Sequence, residues 1–310
     1  MKFDEYGTND ERLGRRLFDQ GHPALAQVFE SHRSRLLRVA YSITGSVAEA
    51  EDCVQEAWLR LQRVGDSAAI RDLPAWLTTT VGRLALDALG SARSRRERYV
   101  GTWLPEPLVK DLNWGDPAER VALDDSVSMA LLIMLERLSA AERTAFLLHD
   151  VFGLPFDEIA DVVGRSPAAV RQLASRARQH VESGRPRFAP TRAEQHALVA
   201  AFSAACQEGD LERLVGLLDP DVVWRGDGGG KVTATLRELQ GALKVAHGML
   251  SIAQQTFRVA KIADVNGAPG LVLLGDDDVL SVVSFTVDGG RIAAIDIIRN
   301  PDKLTAVKSP

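Results

Sequence analysis

Three groups of residues in this 310-residue chain could do chemistry. The first is Trp224–Lys231, WRGDGGGK, which sets three consecutive glycines between an acid and a lysine. Glycine loses more backbone entropy on ordering than any other residue, so such a run implies either a cradle or a close backbone approach. A phosphate-binding loop would need glycine five positions before the last glycine, and Ser or Thr after the lysine. Arg225 and Val232 stand there instead, and no continuous apolar strand leads into a helix after the loop. The second group is Asp227, His247 and Asp296, a set of acid–base candidates. Nothing pairs them at a spacing that specifies proton transfer. The third is cationic: between Arg165 and Arg187 there are six arginines and a single acid, Glu182. A basic helical stretch in a mildly acidic protein is the kind of footprint that nucleic-acid phosphates select.

Elements must position these groups, and the composition bounds what they can be. Apolar content of 45% and charged content of 25% suit soluble globular domains. No run approaches the roughly 18 apolar residues of a membrane helix. The start, MKFDEYGTNDER, is too polar and acid-rich for a secretory signal. Cys53 and Cys206 are too few and too far apart for a disulfide framework or a zinc knuckle. These features predict a cytoplasmic protein with no cofactor, no metal and no membrane partner. Residues 193–310 hold 11 basic and 15 acidic residues, a balance of −4, so the basic character lies elsewhere.

The most informative segment is Leu138–His180. Ser139 with Glu142 three residues later forms a capping box, which starts a helix expected to run to about Phe152. Ile159, Ala160 and Val163 give a second, short helix over 156–163 an apolar side. Gly164 and Arg165 turn the chain, Ser166 is a good N-cap and Pro167 suits the first helical position. The third helix carries Val170, Leu173, Ala174, Ala177 and Val181 on one stripe, leaving Arg171, Gln172, Ser175, Arg176, Arg178 and Gln179 on its other faces. A short helix, a tight turn and an arginine-rich second helix make a helix-turn-helix suited to the major groove of DNA. Arg and Gln there can reach base edges, and the other arginines neutralise phosphates.

Here the sequence resembles a family. LSAAERTAFLLHDVFGLPFDEIADVVGRSPAAVRQLASRAR is similar to region 4 of bacterial sigma factors of the extracytoplasmic-function class. AEAEDCVQEAWLRL resembles the region 2 helix that docks on RNA polymerase, and PAWLTTTVGRLALDALGSARSRR resembles the helix that melts and reads the −10 element. The resemblance covers roughly residues 24–182. It implies binding to core polymerase, through the β′ clamp and β flap, and to promoter DNA, with no reaction of the protein's own. Asp52, Gln55, Glu56 and Arg60, lying off the apolar stripe of Val54, Ala57, Trp58 and Leu61, would face the polymerase. Arg83, Asp87, Arg93, Arg95 and Arg96 would line the −10 strand, Arg83 as a phosphate contact because the family often has Asn there. Ser166, Ala168, Arg171, Gln172, Ser175, Arg176 and Arg178 would read the −35 element. Trp76 is expected in the core, and His149 at a helix end.

From residue 193 the pattern changes. Short helices over 193–207 and 210–218 lead to Asp221–Trp224, the glycine loop, a helix expected over 234–248, and then apolar runs joined through the turn Asp288–Gly290. The pattern predicts an α+β unit, a curved antiparallel sheet with helices packed on one face, and it resembles a SnoaL-like, ketosteroid-isomerase-like cone. A subgroup of the sigma class carries that domain together with the motifs WLPEP, DGGGK and NPDK. All three stand here, as Trp103–Pro107, Asp227–Lys231 and Asn300–Lys303. In the subgroup the extension regulates the sigma factor in cis. The resemblance therefore implies an interface among Trp103, Leu104, Pro105, Asp227, Gly228, Gly229, Gly230, Lys231, Asn300, Pro301, Asp302 and Lys303. The glycine loop is expected to dock on region 2 or on the WLPEP strap. The competing readings are a cone that binds a small apolar ligand and a cone that catalyses.

The expected organisation is multidomain: an N-terminal tail over 1–23; an all-α region 2 over 24–98; a linker with the WLPEP strap over 99–121; an all-α region 4 over 122–183; a second linker over 184–192; the α+β cone over 193–304; and a tail over 305–310. One copy per polymerase predicts a monomer.

Overall fold

The computed structural model describes residues 22–64, 70–96, 99–109, 127–184, 190–256, 259–275, 279–305 and 307. The chain divides into two compact units. The first comprises residues 1–92 and 138–179, and the second comprises 93–137 and 180–310.

The first unit is all helical. Helices α1 (His22–Thr44), α2 (Val47–Arg63) and α3 (Leu73–Arg96) carry the region 2 resemblance. Ser46 caps α2 by accepting from the amide of Glu49. The predicted stripe on α2 is the buried one: Val54, Ala57 and Leu61 are buried, and Trp58 is half-buried with its ring 4.9 Å from Phe29. Trp76 is half-buried rather than fully in the core. Side chains of this size stabilise by about 1.5–3 kcal/mol each when fully buried, so the stripe alone explains why α2 docks.

Helix α4 (Met129–Leu135) belongs to the second unit, and α5 (Ala140–Phe146) resumes the first. The capping box at Ser139 and Glu142 is formed in both directions. After Phe146 the helix widens to a π-helical turn over Leu147–Val151, and Gly153 follows with a φ of +73°. Helix α6 (Phe156–Val163) ends at Gly164, whose φ of +69° is the left-handed cap that a non-glycine residue resists. Ser166 accepts from the amide of Ala169 and opens α7 (Pro167–Gly184). Val170, Leu173, Ala174, Ala177 and Val181 are all buried, as their spacing predicts.

In the second unit, α8 (Arg192–Glu208) and α9 (Leu211–Leu217) precede one six-stranded sheet. Its strands are β1 (Leu218–Asp227), β2 (Leu239–Gln240), β3 (Val259–Val265), β4 (Ala268–Leu274), β5 (Val279–Asp288) and β6 (Arg291–Ile298), in the order β2-β1-β6-β5-β4-β3. The sheet is mixed rather than wholly antiparallel as expected: β1 and β6, the first and last strands, run parallel and the other pairs antiparallel, with Arg225 opposite Asp296. The expected helix over 234–248 is displaced: α10 spans Ala242–Thr256. Residues 231–238 form turns and bends instead, with Thr235 Oγ1 2.5 Å from where a β-carbon on Gly226 would lie, and helix begins only after Gly241.

The sheet is covered on both faces. Val222, Trp224, Ile295 and Ile297 face one apolar cluster with Val199 and Phe202 of α8 and Val245 and Met249 of α10. The alternate residues face a second cluster, in which Val265, Val272, Val282 and Ile298 meet Leu104, Val109 and Met129. This is the α+β cone, with helices on its inner face and the segment ahead of region 4 on its outer face. Among the described residues no helix is long and apolar enough to cross a membrane.

Candidate functional site

Two sites merit construction from their residues. The first is the helix-turn-helix. Ser166, Ala168, Arg171, Gln172, Ser175 and Arg176 are exposed along α7, so one side of the recognition helix is open to a ligand. Arg178 differs: its Nε donates to Asp150 Oδ1 at 2.9 Å, which ties it to the π-helical turn. Arg176 approaches Glu142 only at 3.9 Å. Arg171 lies 5.1 Å from the centre of the Phe156 ring.

On region 2, Asp52, Gln55 and Arg60 are exposed and Glu56 is half-buried. Arg60 Nε donates to Glu56 Oε1 at 2.9 Å, one helical turn away. Arg83 and Asp87 are exposed on α3. Arg83 Nε donates to the Asp161 carbonyl of α6 at 2.9 Å, so this expected phosphate contact is engaged within the unit. The side chains of Arg93, Arg95 and Arg96 lie outside the described residues. Beside Arg83, a β-carbon on Gly82 would sit 3.3 Å from Val162 Cγ1, which makes this helix–helix contact tight. Arg143, 1% exposed, donates from Nη2 to the Ser42 carbonyl at 3.1 Å.

The second site gathers the three short motifs around one carboxylate. Asp227 ends β1 with no exposed surface. Its Oδ1 accepts from the Tyr99 hydroxyl at 2.5 Å and from the Gly229 amide at 3.1 Å. Its Oδ2 accepts from the Leu104 amide at 2.9 Å and from Lys303 Nζ at 2.7 Å. Lys303 also donates to the Leu104 carbonyl and stands 4.0 Å from the centre of the Trp103 ring. Asn300 Nδ2 donates to Tyr99 Oη at 2.8 Å. Pro301 opens the short turn that carries Lys303. Lys231 pairs with Asp302 at 2.7 Å, and both are largely exposed. A buried ion pair with every lone pair satisfied is the arrangement that tolerates burial.

The three glycines now have separate reasons. A β-carbon at Gly228 would collide with the Val232 carbonyl. At Gly229, where φ is +63°, it would lie 2.5 Å from Asn300, and at Gly230, where φ is +70°, it would lie 3.1 Å from Val100. The loop is a close-packing device, and it packs on the strap.

Sequence reasoning missed Tyr99, which stands outside all three motifs. Burial and then its hydrogen bond to Asp227 push its hydroxyl well above the ordinary value for tyrosine. It also missed the pair of Arg225 Nε with Asp296 Oδ1 at 2.6 Å, which has Asp296 1% exposed. Burial pushes the Asp296 carboxyl up, and Arg225 opposes that shift. Asp227 and Asp296 both lie on the strap side of the sheet, opposite the helix-lined interior, and His247 is exposed. The three acid–base candidates therefore do not converge.

Comparison with known proteins decides the family. Residues 28–95 match Sigma-70 region 2 and residues 128–181 match Sigma-70, region 4. The chain is 43% identical over 294 residues to the ECF RNA polymerase sigma factor SigJ of Mycobacterium tuberculosis, covering 89% of this chain and 92% of that protein. This chain belongs to the extracytoplasmic-function RNA polymerase sigma factors. It is also 35% identical over 292 residues to a probable ECF sigma factor, SigI, of the same species, covering 93% and 97% of the two chains. The crystal structure of M. tuberculosis SigJ superposes with a TM-score of 0.74 at 41% identity, over 91% of this chain and 98% of that one. In this sigma factor, then, the helix-turn-helix is region 4, α1–α3 form region 2, and the Asp227 cluster joins the segment between those regions to the C-terminal α+β extension.

Proposed function

We propose that this sigma factor is controlled in cis by its own C-terminal α+β segment, which holds the linker between regions 2 and 4. The observation that carries this reading is the buried carboxylate of Asp227. It takes the amide of Leu104 from the strap and a lysine from the C-terminal turn at once. The second unit also takes in residues 93–137 and 180–184, the linker strap and both ends of region 4. The segment thus grips the stretches of chain through which region 4 would be aimed at a −35 element.

In this reading Asp52, Gln55, Glu56 and Arg60 meet the β′ clamp of core polymerase, and region 4 meets the β flap. Arg83 and Asp87, with Arg93, Arg95 and Arg96, hold the −10 strand. The exposed side of α7 reads the −35 element, with Arg178 as a brace to Asp150. The protein acts as a monomer in the cytoplasm, where the polymerase is, and catalyses nothing itself. Its DNA affinity is largely ionic and falls with salt.

The test is run-off transcription with core polymerase, comparing the intact chain, Asp227→Asn and a chain ending at Arg192. Asp227→Asn keeps the shape of the side chain but removes the charge that binds Lys303. A change in transcript yield or start-site choice with Asp227→Asn supports regulation in cis. Unchanged transcription from both altered proteins overturns it. The point variant is the cleaner arm, because truncation strips the cover from Leu104, Val109 and Met129.

A further inference from the structure

We infer that Phe156, backed by His149, is a positioning residue that holds the Arg171 guanidinium in place for reading one base pair of the −35 element. The inference rests on the proposed −35 role of α7 and adds residues that lie outside that helix.

Three arginines in the middle of the recognition helix are held in three different ways. Arg178 is bonded to the Asp150 carboxylate, and Arg176 lies near the Glu142 carboxylate. Both have a negative partner that competes with DNA. Arg171 instead has a ring for a partner, its guanidinium carbon 5.1 Å from the Phe156 centroid. A cation–π contact ties none of the guanidinium's N–H groups to an anionic acceptor. Its fork of donors therefore stays available to paired acceptors such as guanine O6 and N7. Arg171 is also exposed, in the middle of the open side of α7, beside Gln172 and one turn before Ser175.

The ring is itself fixed. Phe156 is the first residue of α6, and its other neighbour is the His149 imidazole, 3.9 Å away and 28° from parallel. His149 is held by a 2.9 Å hydrogen bond between Nδ1 and the Leu154 carbonyl, in which the ring N–H donates. It stands in the π-helical turn Leu147–Val151, which rotates the side chains after Phe146 away from their α-helical directions. His149 touches Phe156 and Phe156 touches Arg171, a chain of contacts from the π-helical turn to the exposed side of α7. A long arginine on a helix surface otherwise samples many rotamers, and ordering it on binding costs affinity. Contact with the ring lowers that cost before DNA arrives.

The experiment measures binding of the holoenzyme, made from core polymerase and the full chain, to promoter duplexes that carry each base change in the −35 element. Arg171→Ala should lose about tenfold or more discrimination at one base pair, the scale of a bidentate arginine contact. Phe156→Met should lose about three- to fivefold at that same pair, the scale of an exposed cation–π contact. Affinity for non-specific DNA and its salt slope should stay within about twofold. In the doubly changed protein the two losses should not add, and Phe156→Tyr should restore discrimination. Replacing Phe156 with its 3,4,5-trifluoro analogue keeps the shape and fold while weakening the ring's attraction for a cation, and it should reproduce the loss even if Phe156→Met unfolds. Equal losses at every base pair, an unchanged profile with the fluorinated ring, or additive losses at different pairs would each overturn the assignment of Phe156. Loss of all promoter binding by Arg171→Ala, with none restored by any −35 sequence, would instead count against the −35 role of α7 itself.

Discussion

Two places in this sigma factor join stretches of chain far apart in sequence, and they are built from different materials. In the first unit α3 meets α6 across Gly82, where Arg83 of α3 donates to the neutral Asp161 carbonyl of α6. In the second unit the strap meets the sheet through a buried carboxylate and ammonium, Asp227 and Lys303, with the remaining oxygens satisfied by Tyr99, Leu104 and Gly229. An exposed guanidinium such as that of Arg83 can exchange a carbonyl for water or phosphate, giving up a hydrogen bond worth about 1.5–3 kcal/mol and regaining most of it. A buried ion pair cannot part without leaving an uncompensated charge. The first contact is the cheaper of the two to part, and under the control in cis proposed above the DNA-reading regions would separate while the linker stays gripped.

The sharpest way to break that comparison is to stop the first contact from opening. Promoter elements about 25 base pairs apart are separated by about 85 Å along B-form DNA. Regions in side-chain contact cannot read both. The pair Gly82→Cys and Val162→Cys, in a chain with Cys53→Ala and Cys206→Ala, should form a disulfide under oxidation. Run-off transcription from a promoter with both elements should then fall to background and return with reductant. A bridged protein that still transcribes would show that the regions need not part.

Next in size is the loss of the grip. Asp227→Ala leaves Lys303, 11% exposed, without its carboxylate. Removing one partner of a buried pair costs about 3–5 kcal/mol. Urea unfolding should show that loss, with Asp227→Asn losing less because its amide oxygen still accepts from the Leu104 N–H. If Asp227→Ala were as stable as the parent chain, the cluster would not be clamping the strap to the sheet.

The two contacts also differed in how visible they were beforehand. Helices α6 and α7 could be placed from Gly164, Ser166 and the stripe Val170 to Val181, because caps and 3.6-residue periodicity are local. The Asp227 cluster could be anticipated only as three recurring motifs, and its geometry could not. Tyr99 reaches Asp227 across 128 positions of sequence, and Arg225 reaches Asp296 because β1 and β6 pair in parallel. No local pattern encodes a parallel pairing between the first and last strands. The same blindness misplaced the helix expected over 234–248, where turns and bends bring Thr235 against Gly226 and the helix starts only at Ala242. His149 is a different case: a helix-end role was the local expectation, and the widened turn that turns it toward Phe156 leaves no pattern in the residues themselves.

Tyr99 offers a pH test of the grip with a smaller effect. Its hydroxyl donates to a charged acceptor, an interaction worth about 1.5–3 kcal/mol, so Tyr99→Phe should destabilise by that order at neutral pH. Burial and the Asp227 bond raise its folded value above the ordinary 10.0, and both favour the neutral phenol. The contribution is therefore complete below pH 10 and is lost as pH rises beyond it. The stability difference between parent and Tyr99→Phe should be flat from pH 7 to about pH 10 and shrink above that. The thiols of Cys53 and Cys206, pushed up to about 12 by burial, are common to both proteins and cancel in the difference. A difference that grows with rising pH would contradict the hydrogen bond to Asp227.

The smallest effect is expected where the motifs are most exposed. Lys231 and Asp302 form a 2.7 Å pair with side chains 54% and 62% exposed. Pairs of that kind are worth about 0.2–1 kcal/mol and weaken with salt. Lys231→Ala should therefore move the unfolding midpoint little, far less than Asp227→Ala, although both residues lie in the same motif. Transcription separates two reasons for finding a lysine there. If Lys231→Ala leaves both stability and transcript yield near the parent values, the pair is a surface ornament on a clamp whose strength lies underneath. If yield changes while stability does not, the exposed ammonium and carboxylate are available to something outside this chain, and the grip on the linker has a handle that core polymerase or promoter DNA can reach.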